Sequence, residues 1–274
     1  MNLQHSTTQT LTSTVLDKLL TLKPTLKTKS TWKPGALLLA FVSLWSELSV
    51  AQGTDTLTLA EQYKVQAESA RIDCDVELYQ DDKLEKTRQY QVYAGKDNQS
   101  LVLFKSNADA GQKVLINGKD FWLLMPKSRR PMRITPMQKL LGEASLGDVA
   151  TLSWSKDYQV VAEVAQENTI TLELQAQNAA ASYQRISLTV NAADQFPLTA
   201  DLYLRSGVLA KTASFSRGHR DGKPAIVAMS LQDQLQPHSK TVIHYKRVTP
   251  VDIPAKVFNP QVLLRADFAS LLGQ

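Results

Sequence analysis

Lys113-Val-Leu-Ile-Asn-Gly-Lys-Asp-Phe-Trp-Leu-Leu-Met-Pro126 is the stretch on which the fold reading turns. Apolar runs at 114–116 and 121–125 flank the dipeptide Asn117-Gly118. Asn-Gly accepts the two positive-φ positions of a type I′ turn, so between apolar runs it is the strongest short-range signal for a β-hairpin. Strands are therefore expected over 113–116 and 121–125, with Asn117-Gly118-Lys119-Asp120 as the turn.

The same rhythm extends upstream. Arg71-Ile-Asp-Cys-Asp-Val-Glu-Leu-Tyr79 alternates, with Ile72, Cys74, Val76 and Leu78 on one face and Asp73, Asp75 and Glu77 on the other. Gln80-Asp-Asp-Lys83 is a polar turn, and 85–94 returns with Tyr90, Val92 and Ala94 in step. Gly95-Lys-Asp-Asn98 turns into a strand over 100–105. Before all of these, 54–70 reads as a short, imperfect amphipathic helix carrying Leu57, Leu59, Ala60 and Tyr63.

Downstream, Pro126-Lys-Ser-Arg-Arg-Pro131 is a basic, proline-bounded turn, followed by a brief strand at 132–134. Residues 136–148 hold Met137, Leu140, Leu141 and Leu146 around Gly142 and Gly147, the pattern of a short helix plus a loop. Strands resume at 158–163, 169–174, 183–190, 197–204, 210–217, 225–232 and 240–248, and the tail 259–268 ends in a short helix. The result is an α+β chain, mainly antiparallel β, with roughly a dozen strands in one meander. A sheet of that size curves and partly rolls up, and helices can close its concave face. Its interior is either filled by side chains or open to an apolar ligand.

Composition narrows the function. The chain has 274 residues, 43% hydrophobic and 21% charged, which excludes wholesale disorder. The N-terminal part reads as an address. Lys27, Lys29 and Lys33 precede Gly35-Ala-Leu-Leu-Leu-Ala-Phe-Val-Ser-Leu-Trp45, too short for a membrane span but matching a secretory h-region. Ser49-Val50-Ala51 supplies a small-x-small cleavage site before Gln52. Residues 1–51 are thus expected to be an N-terminal extension with a signal peptide, and 52–274 a single domain. A lipoprotein signal would place Cys where Gln52 stands, so no lipid anchor is expected. Five of the 31 basic residues and two of the 26 acidic ones lie in 1–51. That leaves 26 against 24, which removes most of the support for a nucleic-acid partner.

Chemical motifs are scarce. Gly-x-Ser-x-Gly and phosphate-binding glycine loops are absent. One cysteine, Cys74, on an apolar strand face, excludes a disulfide framework and a cysteine-based zinc site. His219, His238 and His244 have no reason to converge on a metal, so no metal and no cofactor are expected. Asp73, Asp75 and Glu77 read as a solvated strand face rather than an acid–base pair. What remains is Asp120–Ile134, aromatic and aliphatic bulk joined to a basic turn. It is either a core strand with a solvated hairpin, or the wall of an apolar cavity with anion-binding side chains at its mouth.

That segment resembles the outer-membrane lipoprotein-sorting family, the LolA-like periplasmic carriers. The resemblance is carried by Asp120-Phe-Trp-Leu-Leu-Met-Pro126, by Lys127, Arg129, Arg130 and Arg133, and by Leu141-Gly142-Glu-Ala-Ser145-Leu-Gly-Asp148. Phe104, Gly111-Gln-Lys-Val-Leu-Ile116, Val251-Asp-Ile-Pro254, Phe258-Asn-Pro260 and Leu264-Arg265 extend it over about 57–265. Ser106-Asn107 and Gly142-Glu-Ala-Ser145 depart from the family pattern.

The resemblance implies an unclosed half β-barrel with helices over the concave face, and a non-enzymatic carrier of lipoprotein or lipid acyl chains. It implies an apolar cavity lined by Phe104, Leu115, Trp122, Leu124 and Met125, with Met125 on the opposite strand face from Trp122 and Leu124. It implies a lid from Leu140, Leu141, Gly142, Leu146 and Gly147, and head-group or partner contact by Lys127, Arg129, Arg130 and Arg133. The expected setting is the periplasm of a Gram-negative bacterium. The expected form is a monomer working with an inner-membrane exporter or an outer-membrane acceptor. A lipid-sensing or regulatory module of the same fold, acting on a membrane protein, is the alternative. A hydrolase of envelope lipids has no motif in its favour.

Overall fold

Alternation at 71–79 produces β1 (Ala70–Gln80), in which Ile72, Cys74 and Val76 are buried and Leu78 half-buried, while the acidic positions between them stay half-exposed. The computed structural model describes residues 53–64, 69–96, 98–135, 153–179, 181–236 and 238–273. The remaining strands follow in chain order. They are β2 (Lys83–Ala94), β3 (Gln99–Phe104), β4 (Lys113–Asn117), β5 (Asp120–Leu124), β6 (Met132–Ile134), β7 (Tyr158–Ala165) and β8 (Thr169–Ala176). After them come β9 (Arg185–Asn191), β10 (Pro197–Tyr203), β11 (Leu209–Arg220), β12 (Lys223–Asp233) and β13 (Ser239–Pro250). The Asn-Gly hairpin forms as the dipeptide dictates. Asn117 pairs with Asp120, and Gly118 takes φ +59, so Asp120 begins a strand rather than ending the turn.

The 13 strands of the described residues form one sheet in the order β6-β5-β4-β3-β2-β1-β13-β12-β11-β10-β9-β8-β7. Every neighbouring pair is antiparallel. Two hairpin meanders are therefore zipped together where the first strand meets the last. The free edges, β6 and β7, are consecutive in the chain. The sheet is an unclosed barrel whose seam lies between them. Its curl is visible in one contact: Asn98, between β2 and β3, donates its Nδ2 to Asp157 Oδ1 at 3.0 Å, just before β7. Strands so far apart in the sheet order meet only if the sheet bends round on itself.

Four short α-helices accompany the sheet among the described residues, α1 (residues 53–61), α2 (Trp154–Asp157), α3 (Pro260–Arg265) and α4 (Phe268–Leu272), with single 3-10 turns at Asn107–Asp109 and Ala255–Phe258. The helix expected over 54–70 is thus shorter, ending at 61, and β1 has begun by Ala70. Asn259 caps α3 by accepting from the amides of Gln261 and Val262, with Pro260 at its first position, so the chain turns sharply at 259. The helices divide between the two faces of the sheet. Leu57 and Ala60 of α1 and Trp154 of α2 join the concave cluster, whereas the C-terminal segment packs on the convex face of β2–β5. No helix among the described residues is long and apolar enough to cross a membrane. The expected signal, 1–51, and the expected lid residues, Leu140, Leu141, Gly142, Leu146 and Gly147, lie outside the described residues.

Candidate functional site: the concave face and its cover

Antiparallel register carries one face from strand to strand. Val248, Ile72, Val92, Val102, Val114, Leu123 and Met132 are successive partners from β13 through β6. Residues directly opposite one another across a ladder share a face, so this row is continuous with the apolar side of β1. Ala94, Ser100, Ile116, Phe121 and Ile134 form a parallel row, and Cys74, Tyr90 and Phe104 a third. Phe104 meets Tyr90 edge to face with ring centroids 5.0 Å apart. On the other arm, Leu172, Leu174, Ile186, Leu188 and Val190 join the same cluster. The concave face is therefore mostly apolar on both arms, with buried Lys211, Asp233 and Thr241 on it at β11–β13. Removing one of its apolar side chains from water stabilises the fold by about 1.5–3 kcal/mol.

The next row over is Arg71, Tyr93, Leu101, Leu115, Trp122 and Arg133, and it points to the convex face. There Leu101, Leu103, Leu115 and Leu124 are buried with Val257, Phe258, Leu263 and Leu271 of the C-terminal segment. Trp122 packs against this second cluster and Met125 against the concave one. The five residues expected to line one cavity thus divide: Phe104 and Met125 belong to the concave side, while Leu115, Trp122 and Leu124 lie beneath the C-terminal segment. The reason is the period of two, which places Phe121 and Leu123, not their neighbours, inside. The signal was available: the acidic side of β1 faces outward, and the hairpin register transmits that choice as far as β5.

Two polar features interrupt the concave face where α1 meets α2 and β7. A β-bulge between Val160 and Ala162 shifts the register so that Glu163 stands opposite Leu172. Leu172 is fully buried inside, so the bulge turns a carboxylate inward. Thr56 Oγ1 of α1 donates to Glu163 Oε1 at 3.5 Å, and Glu163 Oε2 is buried with no hydrogen-bond partner among the described residues. Burial pushes the Glu163 carboxyl up, against the hydrogen bond from Thr56. The second feature is Trp154, 1% exposed, edge-on to Phe215 with centroids 5.7 Å apart.

Glu61 latches α1 to α2. Its carboxylate accepts from Trp154 N at 2.7 Å, from Ser155 N at 3.0 Å and from the Ser155 hydroxyl, and it pairs with Lys64 at 3.7 Å. Lys64 Nζ also stands 4.5 Å from the Trp154 ring centroid. Burial pushes the Glu61 carboxyl up, but Lys64 and the hydrogen bonds from Ser155 and Trp154 outweigh this and hold it below 4.5. Tyr63 anchors the turn after α1: its hydroxyl donates to Asp194 O at 2.7 Å, and its carbonyl accepts from Ile226 N at 2.8 Å. Because the folded pKa of Glu61 is depressed, the latch is fully present above pH 4.5 and is lost as pH falls through the lowered value. In Glu61→Gln, hydrogen-exchange protection of the α1 amides at pH 7 is expected to drop roughly tenfold, the scale of a lost charged hydrogen bond. Its protection should fall less as pH drops below 4.5 than that of the unsubstituted protein does.

Elsewhere, Lys127, Arg129, Arg130 and Arg133 are exposed on the β5–β6 connection and the edge strand, with Lys127 at φ +65. Ser128 shapes the turn, its hydroxyl donating to Arg130 O at 2.8 Å. Arg133 pairs with Asp120, and its guanidinium lies 5.8 Å from the Trp122 ring centroid, so it is engaged locally on the convex side. The histidines are dispersed: His219 lies within β11, His238 pairs with Asp81 at 2.8 Å, and His244 with Glu77 at 3.0 Å. Burial, with Asp75 and Asp73 adding to it, pushes the Cys74 thiol up to about 12.

A family model described as "Uncharacterized protein" matches residues 96–265, more than half the chain. No curated protein matches the sequence. Among solved structures, a LolA superfamily protein from Nitrosomonas europaea is similar at 25% identity and a TM-score of 0.69, over 76% of this chain and 97% of that one. A putative outer membrane lipoprotein-sorting protein domain from Vibrio parahaemolyticus is 17% identical with a TM-score of 0.65, over 79% of this chain and 100% of that one. A DUF1329 family protein from Desulfovibrio piger is 22% identical with a TM-score of 0.64, over 78% and 99% respectively.

Proposed function

We propose, from the premise that this chain belongs to the LolA-like family of outer-membrane lipoprotein-sorting proteins, that it is a non-enzymatic carrier of lipid or lipoprotein acyl chains. One observation carries the proposal: apolar rows cross the concave face from β13 through β6 and continue on β8 and β9, and this face is covered in part by α1, a helix of only nine residues held by a few polar contacts. A helix that short has little stability of its own and depends on its packing. Acyl chains would displace α1 and lie against Phe104, Phe121, Leu123 and Met125.

The physics suits carriage. A lipid tail leaving a membrane loses about 0.8 kcal/mol per CH₂. A carrier offers equivalent apolar surface and releases the tail when a membrane offers the same. In this reading residues 1–51 direct the chain to the periplasm of a Gram-negative cell and are removed, and 52–274 act as one lipid-binding domain. Lys127, Arg129 and Arg130 sit on the turn that leads into edge strand β6, a position suited to anionic head groups or to an acidic face of an exporter or acceptor.

Native mass spectrometry tests this on protein purified from cell envelopes without detergent. The expected result is a discrete adduct that extraction identifies as lipid or lipopeptide. An adduct-free mass, with no uptake from phosphatidylglycerol vesicles, would overturn the carrier reading.

A further inference from the structure

Proteins rarely leave a polar hydrogen buried without an acceptor, because an N–H removed from water and left unbonded is costly. Trp154 is such a case. Its side chain is 1% exposed, it belongs to the concave cluster, and its Nε1 has no hydrogen-bond partner among the described residues. The residue is otherwise held firmly. Its backbone N donates to Glu61, Lys64 stands over its ring, and Phe215 packs against its edge. Phenylalanine would fill an apolar position beside Phe215 without the unbonded donor. On the same face Tyr158 donates its hydroxyl to Tyr183 O at 2.9 Å and Cys74 Sγ lies 3.8 Å from Tyr90 O, whereas Glu163 Oε2, an acceptor, is likewise buried without a partner among the described residues.

We propose that the Trp154 indole N–H is the recognition donor of the site, reserved for the carbonyl oxygen of an ester or amide that joins the ligand's acyl chain to its head. This rests on the carrier reading and adds a chemical requirement to it: the ligand is an acyl ester or acyl amide rather than an alkyl ether or a plain hydrocarbon. An apolar face alone cannot distinguish these, because their chains bury the same surface. A buried donor can, since a ligand lacking the acceptor leaves it unpaired.

The test compares dihexadecanoyl phosphatidylglycerol with its di-O-hexadecyl ether analogue, alike in chain length and head group, by displacement of a fluorescent fatty acid from the full chain. The ester lipid is expected to bind about fivefold more tightly, the scale of one buried hydrogen bond. Trp154→Phe should abolish that ratio. The indole ¹⁵N–¹H signal of Trp154 in the unsubstituted protein gives an independent readout. It should move downfield with ester lipid and stay in place with ether lipid, while that of Trp122, on the convex face, moves with neither. Equal affinities for the two lipids, or a preference that survives Trp154→Phe, would overturn the proposal while leaving the carrier reading standing. Binding of neither lipid would overturn both.

Discussion

Phe258→Ala is expected to cost about 3–5 kcal/mol of folding free energy, the range for removing a buried aromatic ring from a packed core. Phe258 is 3% exposed at the centre of the convex cluster. Its ring presses on Gly95 so closely that a Cβ placed there would come 2.5 Å from Cζ, and Asn117 donates its Nδ2 to the Phe258 carbonyl at 3.3 Å. Lys113 Nζ donates to Leu263 O at 3.2 Å, so two residues of β4 hold the backbone of the segment down. Domains are stable by only about 5–15 kcal/mol, so the loss is a large share of the total. Urea unfolding followed by circular dichroism would read it as a fall in midpoint at nearly unchanged slope. A cost below about 1 kcal/mol would mean that the C-terminal segment lies loosely on the sheet and that Leu101, Leu115 and Leu124 owe their burial to something else.

The convex cluster also marks where sequence reading stopped short. Strand positions were legible because the period of two is strong at 71–79 and the Asn117-Gly118 turn admits one register. The half-barrel followed from strand count and from the resemblance around Asp120–Ile134. The assignment of faces was harder. On β3–β5 both faces are apolar: Leu101, Leu115 and Leu124 outward, Val102, Val114 and Leu123 inward. Alternation therefore gives no sign there, and the heavy, conspicuous Trp122 drew the expected lining to the face that the C-terminal segment covers. Only propagation of the face from β1, through four registers, decides it. A continuous apolar run on an antiparallel strand itself predicts that something covers the second face. The cover is the tail, whose short helix was legible but whose place on the outer face of β2–β5 was not. The inward Glu163 was illegible for another reason: a bulge of one residue reverses parity, and nothing in Tyr158-Gln-Val-Val-Ala-Glu163 announces it.

Locking α1 to the sheet should stop lipid exchange. A Cβ placed on Gly53 would lie 3.5 Å from Val160 Cβ, within the separation a disulfide spans. Gly53→Cys with Val160→Cys would therefore tie the start of α1 to edge strand β7. Cys74 does not compete, because it is buried and its thiol is held near 12. If acyl chains reach the concave face by displacing α1, the oxidised protein should take up a fluorescent lipid from vesicles at least tenfold more slowly, and dithiothreitol should restore the rate. The expectation follows from the weakness of the cover: nine residues with two inward apolar side chains, Leu57 and Ala60, held by the Glu61 latch, the Thr56–Glu163 contact and the Tyr63 anchor. Glu61→Gln acts in the opposite sense and should quicken uptake at pH 7. The two variants bracket the mechanism. If both leave the rate unchanged, α1 is part of a permanent core, and the ligand must pass instead between β6 and β7, where consecutive strands of the chain leave the sheet unclosed.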